Sequence, residues 1–465
     1  MHATQRLQES HRPGNGPLRV LAASGQLGYG IPADSLARGM ARQPHVIGAD
    51  MGSIDPGPYY LGSGQMAAPE AMVRRDLELV LRAALDAGVP LIIGSAGTAG
   101  AKPQLAATAA LMRSIAMEHG LSFRLATVAS DVDPQLVQRA LRDDRLSAIG
   151  PMPRPSEADI LACSHIVGQC GTETLARALA TDPDVVLAGR ACDTAIFAAL
   201  PEMLGYPSGL SLHMAKIIEC TSLCCRPGGR DAMLAELDRH GFTLESMNPH
   251  SHATPASVAA HALYEQADPF VVDEPAGILY LRDARYEALD EHRTRVSGAR
   301  FEPRARPTLK IEGALRVGAR AVLLAGIADP VLLSCLDTVL EAVTAKVRGL
   351  LPGGWQMVPH VYGRGAVRPL PPAHQATHEA GLVLEFIAPD AALARTAAAV
   401  YKQNLLHHGD PGRVSTAGNL AFAFTPSAID AQDALRFALY HVMADAPLDD
   451  IFHVEAHDIA PGTVQ

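Results

Sequence analysis

The chain is short of what several common functions need. Aromatic residues make up 5% of its 465 positions and Trp occurs once, so it offers no platform on which bases could stack. Lys+Arg number 39 against 49 Asp+Glu, a net charge of −10. Binding nucleic acid through a basic face needs clustered cations that displace counterions, and a polybasic membrane anchor needs them too. Neither partner is expected. No apolar run reaches the roughly 18 residues of a bilayer-spanning helix. Residues 1–16 are polar and lack an apolar signal core, so export is not expected. The cysteines number 7, an odd count, with Cys224 and Cys225 adjacent. They read as reduced thiols of a cytoplasmic protein, not as a disulfide frame. Cys220, Cys224 and Cys225 have no second CxxC pair and no His pair at finger spacing, so structural zinc is not expected. No Gly-x-Ser-x-Gly elbow supports a serine hydrolase.

What the chain does have is apolar residues, 48% of the total, enough for a large core and, at about 150 residues per domain, for two or three domains. An apolar share this high also leaves room for a homo-oligomer. Pro13, Gly14, Gly16 and Pro17 set residues 1–17 apart as a disordered tail. From residue 18 short apolar runs alternate with Ala- and Leu-rich amphipathic stretches, the rhythm of βαβ units. Strands are expected near 18–24, 45–50, 89–95, 123–130, 165–170 and 184–190, with helices near 32–43, 69–87, 103–119, 134–142, 156–163 and 171–180. The fold class is therefore α/β, a mostly parallel sheet flanked by helices, over 18–300. Further helices are expected at 210–223, 230–240 and 255–265. Short strands from 277 onward, a helix at 329–350 opened by Asp329-Pro330, an exposed loop at 363–372, helices at 390–406 and 432–444 and a final strand at 452–457 suggest a smaller C-terminal α+β domain over 301–465.

In a parallel sheet, ligands bind beyond the carboxyl ends of the strands. Three strand ends carry unusual residues. The first runs Asp50-Met-Gly-Ser53-Ile-Asp55-Pro-Gly-Pro-Tyr59-Tyr60-Leu-Gly-Ser-Gly64. Asp50 and Asp55 could serve as base and orienter, or ligate a divalent metal. The plainer alternative is a tight loop whose aspartates cap the next helix. The second, Gly94-Ser95-Ala-Gly97-Thr98-Ala-Gly100, has the small residues of an anion cradle but matches neither the P-loop nor Gly-x-Gly-x-x-Gly, and could equally be a close strand–helix turn. The third pairs Gly168-Gln-Cys-Gly-Thr-Glu173 with Gly189-Arg190-Ala-Cys192-Asp193. Cys192 and Asp193 would open a helix whose dipole lowers a thiol pKa, and Arg190 could grip a carboxylate. Alternatively Asp193 caps, Cys192 is a small core residue and Arg190 pairs with Asp50 or Glu173. On the 210–223 helix His213, Lys216 and Cys220 share a face, where a Lys becomes a base or an anion clamp, or else stays solvated. His261, beside Tyr264-Glu265, could be a satisfied interior histidine.

The Gly52–Gly64 loop, Gly94-Ser-Ala-Gly97, Gly189-Arg-Ala-Cys-Asp193 and the late Gly418-Asn-Leu-Ala-Phe-Ala-Phe-Thr-Pro-Ser427 together resemble the acyclic terpene utilization protein A family, within it the subgroup carrying the Asp-Pro-Gly-Pro-Tyr-Tyr loop. The resemblance implies a bacterial cytoplasmic catabolic protein, often encoded beside a small partner protein. The naming branch of the family is tied to citronellol and geraniol degradation through branched acyl-CoA intermediates.

The expectation is a lyase, hydratase or isomerase acting on a small carboxylate or acyl-CoA thioester. Asp50 or Asp55 would be the base, assisted by Lys216 or His213, with Cys192 and Asp193 alongside. Ser53, Tyr59, Tyr60, Gly94, Ser95, Gly97, Thr98, Glu173 and Arg190 would bind substrate. The alternative is a non-catalytic ligand-binding or accessory subunit of a two-protein complex.

Overall fold

The computed structural model describes residues 1–264, 267–369, 377–409 and 419–461. Glu265, positions 370–372 of the expected loop and Gly418 lie outside the described residues.

The chain divides into two compact units, Met1–Leu315 with Phe437–Gln465, and Arg316–Arg436. This differs from a single cut near 300, because the last strand, His453–Ile459, pairs antiparallel with Phe123–Ala129 of the first unit.

A ten-stranded sheet organises the first unit. Its centre is five parallel strands, in spatial order Leu18–Ser24, Val46–Asp50, Leu91–Gly94, Val185–Ala188 and Phe123–Ala129. Both faces are covered, as parallel sheets require. Alternate side chains of each strand feed two separate apolar layers: Val20, Val46, Ile92 and Val186 one, Leu21, Ile47, Ile93 and Leu187 the other. The expectation of a mostly parallel sheet is corrected at the edges. Met233–Leu237, Phe242–Ser246, Arg293–Ser297 and Arg285–Ala288 extend it antiparallel beyond Leu18–Ser24, so the sheet is mixed.

Four local expectations fail for identifiable reasons. The helix expected over 230–240 is the strand Met233–Leu237, fixed by pairing with Leu18–Ser24 and by a turn in which Asp238 accepts the N–H groups of His240 and Gly241. The helix expected over 432–444 belongs to the strand Ala428–Ala444, where Leu439, His441 and Met443 are buried with the period of a strand. The expected 165–170 strand is Cys163–Gly168 and lies outside the parallel sheet, antiparallel to 311–315. The expected tail holds a helix, Ala3–Ser10, with Ala3, Thr4 and Leu7 buried. Its free N–H groups are capped from afar, His2 and Gln5 donating to Asp182 and Ala3 to Asp184.

In the second unit Gln356–Tyr362, Ala380–Ala388 and residues 319–327 form an antiparallel sheet. Helices Leu336–Leu350 and Ala391–Leu406 share a core with Leu382, Leu384, Phe386 and Tyr401. Asp329 caps Pro330–Ser334 as expected, accepting the Leu332 N–H at 2.8 Å, but the helix breaks at Cys335 before resuming. No helix among the described residues is long and apolar enough to cross a membrane.

Candidate active site

Beyond the carboxyl ends of the first parallel strands lies a hollow of about 230 Å³, where a ligand of such a sheet belongs. Ser53 and Asp55 reach it from the turn after Val46–Asp50, and Asp193 from the helix Asp193–Met203 that follows Val185–Ala188. Glu219, Cys220 and Tyr264 close the opposite wall. Gly25, at the tip of Leu18–Ser24, lets that wall approach. A Cβ there would sit 2.5 Å from the Glu219 carbonyl oxygen and 3.1 Å from the Cys220 Cα. Opposite the strand tip, the helix Ser208–Ile218 ends and the chain turns through Thr221, at φ 55°, into a short 3₁₀ turn. Buried Asp76 fixes the rim. It accepts the N–H groups of Gly28, Gly30 and Ile31 at 2.9, 2.9 and 3.0 Å.

The hollow is backed by carboxyls without enough cations. Burial pushes the Asp50 carboxyl well above the usual range, and Asp193 and Glu219 push it further than Arg190 can pull it back. Burial and then Asp193 raise Glu219 to about 8, although the Lys216 ammonium lies 2.8 Å away. Asp193 and Glu219 meet carboxyl to carboxyl, which is a hydrogen bond only while one of them keeps a proton. Asp193 itself is half-buried at the hollow's edge.

Arg190 is not part of this wall. Its guanidinium binds the buried Glu312 through Nε at 2.9 Å and Nη2 at 3.3 Å, and gives Nη1 to Ser95 Oγ at 3.1 Å. Lys310 reaches Glu312 at 3.2 Å, and Asp193 is 3.8 Å from Arg190. Burial alone would raise Glu312, but Arg190 and Lys310 outweigh it and hold the carboxyl below its usual value. Both partners first considered for Arg190, Asp50 and Glu173, give way to Glu312, which the sequence did not single out. The expected anion cradle packs against this pair. Gly94 abuts Ile196, Ser95 and Thr98 are buried, and Thr98 donates to the Met51 carbonyl. Gly100, at φ +69°, has no room for a Cβ, which would lie 2.0 Å from the Arg190 nitrogen. Gly97 packs on Gln104, and none of these residues faces the hollow.

Other expected site residues lie elsewhere. Tyr59 and Tyr60 stand edge to face on the short helix Pro58–Ser63, outside the hollow's lining. His213 is buried against Phe242 and Tyr286, donating to or accepting from the Tyr286 hydroxyl at 3.2 Å, and burial lowers its pKa to about 3. Lys216 is buried, spent on Glu219 and stacked 4.8 Å over the Tyr264 ring. Glu173 lies along other hollows, with Glu202 and Glu274 beside one of them. Cys192 contacts Thr194 and Glu274 at 3.1 and 3.4 Å. Burial and Glu274 push its thiol well up, the reverse of the lowering expected from the helix dipole.

Three residues outside the expected site converge instead. The donor atoms of Glu219, Cys220 and His261 all lie within 4.8 Å of one another. His261 closes the helix Pro255–Ala262, which Thr254 caps by accepting the Ser257 N–H at 3.2 Å. Burial lowers His261 to about 4 and raises the Cys220 thiol to about 12. Cys220 also meets the Tyr264 hydroxyl at 3.4 Å. No motif spacing joins Cys220 to His261. The sequence signal was that Cys220 follows the apolar helix Ser208–Ile218 and that His261 stands near the end of the apolar helix Pro255–Ala262.

Residues 68–433 match the family model described as acyclic terpene utilisation family protein AtuA. The chain belongs to this family. The match covers well over half of the chain and begins after the Gly52–Gly64 loop, so it leaves the subgroup aside. Membership in the AtuA family implies a role in acyclic terpene utilisation. Searches of curated proteins and of solved structures return no match.

Proposed function

We propose that the chain is a catabolic enzyme of lyase, hydratase or isomerase type, acting on a small carboxylate or its acyl-CoA thioester in the hollow beyond the parallel strands. The observation that carries this reading is the position of Asp193. Its carboxyl stands at the edge of the hollow with Asp50 and Glu219 behind it, so it is the group able to pass a proton between a bound molecule and the interior. The proposed reaction classes share that need: a proton leaves a carbon next to a carbonyl and another is delivered nearby. The first turn of Asp193–Met203 directs its N–H groups and its dipole to the same edge, which favours an enolate-like oxygen. Exposed Arg230, 5.8 Å from the Tyr29 ring, supplies a cation at the mouth for a carboxylate or a CoA phosphate. The Ser53 hydroxyl accepts the Asp55 N–H at 3.2 Å and shapes the facing lip.

The role implied by the family fits branched acyl-CoA thioesters as first candidates. Incubation with branched and straight acyl-CoA thioesters and with the free acids, read by mass spectrometry for gain or loss of water and by NMR for a shifted double bond, tests the reading. Turnover should fall about 10²–10⁴-fold in Asp193→Asn with thermal unfolding unchanged. Undiminished turnover in a folded Asp193→Asn protein would remove it.

A further inference from the structure

The geometry points to a divalent transition-metal site, of the zinc type, formed by Glu219, Cys220 and His261 on the wall of the hollow. Their oxygen, sulfur and nitrogen donors lie within 4.8 Å of one another. Around a tetrahedral zinc, with bonds of about 2.0–2.3 Å, such atoms stand roughly 3.3–3.8 Å apart, so closing the site takes side-chain adjustments of about 1 Å.

A second observation is independent of that clustering. His261 is 8% exposed, and its Nε2 is buried with no hydrogen-bond partner among the described residues. A buried polar nitrogen left unpaired costs about 1–3 kcal/mol unless something outside the protein's own hydrogen bonds uses it. Charge points the same way. Asp50, Asp193 and Glu219 share two cations, Lys216 at 2.8 Å from Glu219 and Arg190 at 3.8 Å from Asp193, and Arg190 is already bound by Glu312. A dication would supply the missing charge.

The donor set selects the metal. A thiolate with an imidazole and one carboxylate suits zinc or cobalt, and excludes calcium and magnesium, which prefer all-oxygen ligands. Glu219 and Cys220 both line the hollow, so three protein donors would leave a fourth position open toward it. As the sulfur–metal bond forms, the Cys220 S–H bond breaks and its proton leaves to solvent. Asp193, in contact with Glu219, and Tyr264, in contact with Cys220, would orient the ligands. The site stands apart from the choice of reaction, because binding is measured without any substrate.

The test uses the full chain, stripped with a chelator, kept reduced and titrated with Co²⁺. One equivalent should bind, with a sulfur-to-cobalt absorption band that one equivalent of Zn²⁺ abolishes. Cys220→Ser should lose the sulfur band, and His261→Gln should lose stoichiometric binding. Cys335→Ser, a free thiol of the second unit, should behave as wild type. Tyr264→Phe should weaken binding about 10-fold or more. Thermal unfolding checks each variant, and Cys220→Ser, a single-atom change, decides the matter if His261→Gln does not fold. Absence of saturable Co²⁺ uptake by the wild type, or an unchanged spectrum in Cys220→Ser, overturns the site. A protein that binds the ion but turns over none of the thioesters or acids keeps this site and loses the reaction proposed above; turnover without ion binding does the reverse.

Discussion

Two buried clusters of charge lie side by side in the first unit, joined by the 3.8 Å approach of Asp193 to Arg190, and they are built to opposite ends. Around Glu312 the ledger of charge closes. One carboxylate meets a two-pronged guanidinium and an ammonium, and its pKa falls. Around Asp50, Asp193 and Glu219 it stays open, and the pKa values of Asp50 and Glu219 rise. A compensated buried pair holds a structure in register. An uncompensated one costs stability, and such a cost persists where the group serves a ligand or a proton transfer.

The sharpest way to break this comparison is to delete one charge from each cluster. Glu312→Ala leaves Arg190 buried without its partner and should cost about 3–5 kcal/mol in urea unfolding. Glu219→Gln should cost less, about 1 kcal/mol, because the amide oxygen still accepts from Lys216 while the clash of carboxyls with Asp193 is relieved. Equal losses would erase the distinction.

The pH dependence should then run in opposite directions. Glu312 has a folded pKa below 4.5, so its contribution is present above that value and lost as pH falls through the folded pKa. The penalty of Glu312→Gln should therefore shrink in acid. Asp50 has a folded pKa above 3.8, so the wild type loses stability as pH rises from there through the folded value. The advantage of Asp50→Asn over wild type should grow with pH across that window, by on the order of 1.4 kcal/mol per unit. Urea midpoints at a series of pH values check both signs.

Smaller effects sharpen the comparison at the rim. Asp76→Asn weakens three backbone hydrogen bonds to a charged acceptor and should cost about 1–3 kcal/mol, with faster amide exchange confined to residues 28–31. Asp55→Asn is exposed and should shift stability by less than about 0.5 kcal/mol, changing only the concentration of ligand needed for half-saturation.

Much of the first unit was legible. The runs 18–24, 45–50, 89–95, 123–130 and 184–190 became the five central strands because strands buried on both faces need continuous apolar residues whatever their neighbours are. Residues 230–240 and 432–444 were misread because their apolar residues fit either period until a partner strand chose one. At the site, Asp193 was singled out from its place after a strand. Arg190 was singled out for the same reason, yet it points inward, since the residue that claims it, Glu312, comes from a strand far along the chain.

The five parallel strands of the core could be read from the sequence, because apolar runs and Gly-rich turns act over a few residues. Only the tertiary structure decided which of the polar residues at the strand ends face the hollow and which are spent on each other. Desolvation and charge compensation depend on distances between segments far apart in the chain, such as Cys220 and His261 or Arg190 and Glu312, and no local pattern encodes them.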